Sequence, residues 1–265
     1  MELHCLKDHE RTYRLDFLPY HFLLVTAGHS GYVKWHDISI GEVVSSYQSG
    51  HGPCHVLKHN NINAVSHLGH SNGVVSLWSP AAGKSLVSMF CHKAPVTDLA
   101  VDREGNYMAT AGMDGMMKIW DLRTFKCLHS YHTDYPVISL DISETGLLAM
   151  GMGREVQVLK DSFTRPTETM YLRHEIVPPD SKMIAGGGAL AARKALPSSI
   201  AVTCVKFRPL EDVLAIGHSH GMSSCTLLIF QSVSIIVLLS YIIQFVTFCC
   251  VFRSQHYSRS RSRRT

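Results

Sequence analysis

The sequence predicts an all-β chain, an incomplete β-propeller of about four to five blades followed by a hydrophobic, helical C-terminal segment. Three observations carry this expectation. Turn glycines recur at Gly31, Gly73 and Gly115, 42 residues apart twice over. Short runs of alternating apolar and polar residues flank each of these turns, as strands with one buried face require. Histidines His9, His51, His92 and His132 precede the turns at intervals of 42, 41 and 40.

The copies follow in chain order as LLVTAGHSGYVKWHD (23–37), AVSHLGHSNGVVSLWSP (64–80), YMATAGMDGMMKIWD (107–121) and LLAMGMGREVQVLK (147–160). Each is an apolar strand, a glycine-containing turn, and an alternating strand that ends in a large side chain. A fifth copy opens at VTCVKFRPLEDVLAIGHSHGMSS (202–224), echoes YRLDFLPYHFLLVTAGHSG (13–31), and does not reach a second hairpin.

The third copy is the most regular. YMATAG and GMMKIW alternate on either side of Asp114-Gly115, a hairpin signal. This copy resembles the WD-repeat family and ends in Trp120-Asp121. The resemblance implies a hydrogen-bonded chain of His92, Thr110, Asp114 and Trp120 tying the strands of one blade together. A buried imidazole needs a partner at each ring nitrogen, and a turn aspartate and a strand hydroxyl supply them. The first copy has Thr26, with Ser30 at the aspartate place and His36 at the tryptophan place. The second has Asn72 for the aspartate and keeps Trp78, and the fourth has Leu159 for the tryptophan. These copies are expected to lean on packing instead.

Composition narrows the function. Apolar residues make up 46% of the 265 and charged residues 17%, enough to bury a core. The net charge of +4 comes from the tail, where Arg253, Arg259, Arg261, Arg263 and Arg264 leave a body of twenty basic and twenty-one acidic residues. Such a body does not build a long phosphate-tracking groove. Among eight cysteines no CxxC pair appears for a histidine pair to complete into a zinc site. The charged start MELHCLKDHERTYR lacks the apolar stretch of a signal peptide, so the thiols are expected in a reducing compartment. AGGGAL (185–190) lacks the Lys-Ser/Thr of a phosphate loop, and no serine nucleophile elbow is read. Asp98, Asp102 and Asp141 fall at expected strand ends and turns, where acidic residues are ordinary. The expectation is therefore no catalytic residue, no cofactor, no metal and no small-molecule substrate.

A sharper resemblance rests on ELHCLKDHE (2–10), FLPYHFLL (17–24), NAVSHLGHSNGVVSLWSP (63–80), GLLAMGMG (146–153) and FRPLEDVLAIGHSHGMSS (207–224). Over residues 2–160 and 200–224 these look like the nucleolar family of the U-three small-nucleolar-RNA-associated protein seven and WD-repeat protein forty-six, which carries a BING-four-type C-terminal domain. The resemblance implies a non-catalytic scaffold of the small-subunit processome in the nucleolus. Its partners would be other processome proteins and, indirectly, pre-ribosomal RNA and small nucleolar RNA. Trp120, Asp121 and Arg123 also match the WDxR tetrapeptide by which some WD proteins dock on a cullin-ligase adaptor, a second reading.

The chain departs from this family pattern. Residues 1–224 read as a partial propeller that begins at the closing strand of an earlier blade, with an insertion loop at 161–199 rich in proline and glycine. Residues 225–252 carry no charge and as a helix would extend about 40 Å, against a hydrocarbon core of about 30 Å. They read as the product of an alternative or mis-predicted exon, as a membrane span or tail anchor, or as some other buried helix. Arginines follow the span only on its far side, which suits neither orientation. Residues 253–265 form a basic Arg/Ser tail. A partial ring exposes strand edges, so the isolated chain is expected to fold incompletely unless partners cover them.

Overall fold

The structure, a computed structural model, describes residues 11–18, 21–164, 169–176, 201–219 and 221–227. These residues form nineteen strands in five antiparallel sheets, each strand pairing with the next in sequence. Blade 1 is β1 (Thr12–Leu18), β2 (Leu23–Gly28), β3 (Tyr32–Asp37) and β4 (Glu42–Gln48). Blade 2 is β5 (Cys54–Asn60), β6 (Val65–His70), β7 (Val74–Trp78) and β8 (Val87–Phe90). Blade 3 is β9 (Val96–Val101), β10 (Tyr107–Gly112), β11 (Met116–Asp121) and β12 (Lys126–His132). Blade 4 is β13 (Val137–Ile142), β14 (Leu148–Met152), β15 (Glu155–Lys160) and β16 (Thr169–Glu175). Blade 5 has three strands, β17 (Val202–Phe207), β18 (Val213–His218) and β19 (Gly221–Thr226).

The register repeats from blade to blade. The second residue of every innermost strand is skipped in pairing, at Tyr13, His55, Thr97, Ile138 and Thr203. A bulge at that place adds local twist and re-aims the strand. The core lies between sheets. Val25, Val33 and Trp35 of blade 1 pack with Leu57, Leu68 and Trp78 of blade 2. Val75 and Leu77 pack with Leu99, Met108 and Trp120 of blade 3, and Met117 and Ile119 pack with Leu140, Leu148 and Leu159 of blade 4. The forward face of each blade thus meets the rear face of the next. Alternation along each strand is what allows both faces to be apolar.

Two of the expected boundaries change. Residues 169–175, inside the stretch read as an insertion loop, form β16, the outer strand of blade 4. An outer strand is largely solvated and lacks the apolar rhythm that marks a strand in sequence. The propeller does not stop at Ser224 either, because Cys225 and Thr226 pair within β19 opposite Leu214 and Val213. The compact unit ends at Leu227. His9 and residues 228–252 of the apolar stretch lie outside the described residues, and among the described residues no helix is long and apolar enough to cross a membrane.

Candidate functional site

The three turn glycines occupy matching places. Gly31, Gly73 and Gly115 have φ of 81°, 81° and 70°, the left-handed region that an L side chain adopts at a cost. Their carbonyls accept from Ser49 N, Cys91 N and Thr133 N at 2.9, 3.0 and 2.9 Å, which pins the end of each outer strand to its own hairpin turn. A Cβ on Gly73 would lie 1.9 Å from the His92 carbonyl oxygen, whereas one on Gly115 would come no closer than 3.6 Å to Thr133 O.

Blade 3 brings His92, Thr110, Asp114 and Trp120 together. Trp120 Nε1 donates to Thr110 Oγ1 at 3.0 Å, Thr110 Oγ1 lies 2.9 Å from His92 Nε2, and His92 Nδ1 lies 3.1 Å from Asp114 Oδ1. One proton arrangement satisfies the chain: the threonine hydroxyl donates to a neutral imidazole, whose Nδ1–H donates to the carboxylate. Burial lowers the His92 pKa below the usual histidine value, with Asp114 pulling the other way. Asp114 also accepts from Met116 N and Lys93 N, so one carboxylate closes the turn and holds the incoming loop. Gly112 makes room for the ring, since a Cβ there would meet the His92 ring at 2.7 Å.

The period-matched histidines are not equivalent to one another. Counting from the residues that bond the turn glycines, His92 follows Cys91, His51 comes two after Ser49, and His132 comes one before Thr133. The intervals drift because loop lengths differ, and His92 alone enters this tetrad. Blade 2 has Gly50 at the His92 place and His70 at the Gly112 place, an exchange of the two residues. His70 Nε2 lies 2.7 Å from Ser76 Oγ, which also accepts from Trp78 Nε1 at 2.8 Å. Leu68 stands at the Thr110 position, so the hydroxyl comes from the neighbouring strand. Blade 5 repeats the device, with His218 Nε2 3.1 Å from Ser223 Oγ. In blade 1, His36 at the tryptophan place bonds Thr26 at 3.1 Å; in blade 2, Asn72 takes the aspartate's turn role by accepting from Val74 N at 3.1 Å. The degenerate blades therefore keep polar chains of their own. A serine opposite the lost threonine was the signal in sequence.

Asp98 and Asp141 are also placed differently from their reading as strand ends, because both lie inside innermost strands. Asp98 Oδ2 accepts from Leu140 N of the next blade at 2.8 Å, and Asp141 Oδ2 accepts from Phe207 N at 2.7 Å. Ser139 Oγ accepts from Val205 N at 3.2 Å. An innermost strand has an unpaired backbone edge, and side chains of the preceding blade satisfy it. Lys206 Nζ bonds Asp141 Oδ1 at 2.8 Å. Burial opposes the Lys206 charge, yet Asp141 holds its pKa above the ordinary lysine value, while burial and the Lys206 charge push Lys58 down. At the rim, Tyr47 and Tyr131 donate to Pro80 O and Ser162 O in the outer connections of the following blades, at 3.1 and 3.3 Å.

Asp102 caps a turn by accepting from Tyr107 N at 3.0 Å. Arg123 folds back on Asp121, with Nε to Oδ1 and Nη2 to Oδ2 both at 3.1 Å, and its guanidinium lies 5.7 Å from the Tyr107 ring centre. Gly69–Gly73 and Gly217–Gly221 match the G-x-S-x-G spacing of a nucleophile elbow, contrary to the expectation that none occurs. Each is a strand-to-strand hairpin here, and an elbow needs a strand-to-helix turn. Among the described residues no cluster of three or more His, Cys, Asp or Glu could hold a metal ion. What the arrangement does chemically is bind sheet to sheet.

Five four- or three-stranded meanders, one tied by a His–Thr–Trp chain and the later ones stapled together by inter-blade carboxylates, define a WD-repeat β-propeller protein. The WD domain, G-beta repeat family matches residues 83–121. A chain of the crystal structure of a mitotic checkpoint complex superposes with a TM-score of 0.66 at 16% identity, covering 84% of this chain and 63% of that one, a likeness of fold. The chain fits the family of U3 small nucleolar RNA-associated protein 7 and WD repeat-containing protein 46. It is 42% identical over 231 residues to the former in Saccharomyces cerevisiae, covering 84% of this chain and 39% of the relative. It is 39% identical over 228 residues to the latter in Homo sapiens, covering 84% of this chain and 34% of the relative. The chain thus spans less than two fifths of the length of these relatives.

Proposed function

We propose that the chain is a non-catalytic scaffold subunit of the small-subunit processome, working in the nucleolus on the maturation of small-subunit ribosomal RNA. The observation that carries this reading is the 42% identity to a protein named for its association with U3 small nucleolar RNA, sustained over 84% of the chain. The geometry is in keeping with it. His92, Thr110, Asp114 and Trp120 are engaged with one another in blade 3, as are His70, Ser76 and Trp78 in blade 2. Its partners are other processome proteins, through which it meets pre-ribosomal RNA and the small nucleolar RNA.

The test is affinity isolation of the tagged chain from cells, with northern detection of U3 RNA and precursor ribosomal RNA. Enrichment of both, together with accumulation of unprocessed small-subunit precursor on depletion, is the expected result. Recovery without U3 RNA and unaltered precursor processing would remove the reading.

A further inference from the structure

Charged side chains from four blades gather around Lys58. Lys58, Asp141 and Lys206 hold one register position on the innermost strands β5, β13 and β17, and Asp98 lies two places earlier on β9. The charges of Lys206, Asp98 and Asp141 all act on the half-buried Lys58.

Both carboxylates are already engaged at both oxygens. Asp98 Oδ1 and Oδ2 accept from Leu99 N and Leu140 N at 2.9 and 2.8 Å. Asp141 Oδ1 and Oδ2 accept from Lys206 Nζ and Phe207 N at 2.8 and 2.7 Å. Lys206 thus has its counter-ion, whereas Lys58 joins no ion pair among the described residues. The group within hydrogen-bond reach of Lys58 Nζ is the Lys206 ammonium. Two ammonium groups cannot bond, since each only donates, but a neutral Lys58 amine can accept from Lys206. Burial and then the Lys206 charge favour that form, lowering the Lys58 pKa while Asp141 holds Lys206 above the ordinary lysine value. His67, the cross-strand partner of Lys58, is fully buried with its pKa lowered to about 4, so it adds no charge at neutral pH. A desolvated amine beside a fixed cation is a nucleophile.

We propose that Lys58 is a carbamate site, its amine taking up carbon dioxide. The Nζ lone pair attacks the carbon, a C–N bond forms, and one C–O π pair moves onto oxygen. The nitrogen then releases a proton to water, and nothing is oxidised or reduced. The product is an anion within reach of the Lys206 ammonium, a carboxylate at the register place where blade 4 has Asp141. Carbon dioxide suits the site because it is small and uncharged going in and yields an anion there. An acyl group would leave a neutral amide and an aldehyde a cationic iminium, neither of which pairs with Lys206.

The test uses the tagged full-length chain isolated from cells and equilibrated with carbon-13-labelled bicarbonate at neutral pH. Alkylation with triethyloxonium traps carbamates as esters, and mass spectrometry of the digest locates them. Label is expected on Lys58 and not on the exposed Lys84 or Lys126. Unfolding the chain before trapping should abolish it, because the amine then regains its ordinary basicity. Lys206→Met should lower the label at least five-fold, and Lys206→Arg, which keeps the cation, should hold it within two-fold of the parent. Retention in Lys206→Arg separates loss of the charge from loss of the fold. An unlabelled Lys58, equal label on Lys84 and Lys126, label that survives unfolding, or label unchanged in Lys206→Met would each overturn the proposal.

Discussion

His70 reaches Ser76 within its own hairpin at 2.7 Å, whereas His92 reaches Thr110 from the loop ahead of its blade at 2.9 Å. Both rings end at a hydroxyl that also receives a tryptophan N–H. The histidine enters from a different strand, a glycine takes its former place, and the hydroxyl moves across the sheet. The terminal bond to tryptophan is the part retained.

Ser76→Ala should therefore destabilise blade 2 as severely as Thr110→Val destabilises blade 3. Each leaves a buried indole N–H and an imidazole nitrogen without partners, at roughly 1–3 kcal/mol for each unsatisfied group. Chemical denaturation of the two variants beside the parent measures this. A Ser76→Ala loss under about 0.5 kcal/mol would mean that the serine is incidental, since surface changes fall in that range.

The turn glycines should respond unequally to alanine. Gly115→Ala makes only ordinary van der Waals contacts and bears just the left-handed backbone cost, about 1–2 kcal/mol. Gly73→Ala adds a Cβ 1.9 Å from the His92 carbonyl, which forces the loop bearing the tetrad histidine to move. Its loss of stability should exceed that of Gly115→Ala by more than 1 kcal/mol, the usual scale of overpacking. Equal losses in thermal unfolding would contradict the contact.

Acid should loosen the chain well above the carboxylate range. His67 and His70 are fully buried, and burial lowers both pKa values to about 4, with neighbouring His59 and His51 adding to the effect. Unfolded, each titrates near the ordinary 6.5, so between about 6.5 and 4 the unfolded chain binds more protons than the folded one. Stability is then complete above pH 6.5 and falls as the pH drops, by up to about 1.4 kcal/mol per pH unit for each histidine. Denaturant midpoints across pH 7.5–4.5 check this, and His67→Phe should flatten the curve. A flat parent curve over that window would refute the assignment.

Carboxylates between blades should matter more than ion pairs on the surface. Asp141→Ala strips the Phe207 N–H of its acceptor and removes the partner of Lys206, a loss of roughly 1–3 kcal/mol. Glu144→Ala removes the solvated Arg103–Glu144 pair and should cost about 0–1 kcal/mol. The two variants compared by urea titration test whether the inner staples hold the arc.

Arg123→Ala tests the adaptor-docking reading. Arg123 bonds Asp121 within its own turn and is largely exposed, so its removal should leave both folding and the recovered partners unchanged. Selective loss of a cullin-ligase adaptor from affinity isolates would instead support docking through the WDxR tetrapeptide.

Much of the fold can be read from spacing. Gly31, Gly73 and Gly115 mark positive-φ turns that only glycine fills without strain, and the alternation around them follows from one strand serving two interfaces. His92, Thr110, Asp114 and Trp120 were legible because the third copy keeps every member. Ser76, His70 and His218 are less so, since a hydroxyl on the strand opposite its expected place has meaning only once the register is known. β16 was hidden because a solvated outer strand has no apolar period to display.

The sequence by itself determined the repeating unit, its turns and the faces of its strands, because these depend on residues within about ten positions of one another. Only the tertiary structure decided that Asp98 serves Leu140, 42 residues on, and that Asp141 serves Phe207, 66 residues on. Such pairings depend on how one sheet is set against the next, and variable loop lengths erase that relation from linear spacing.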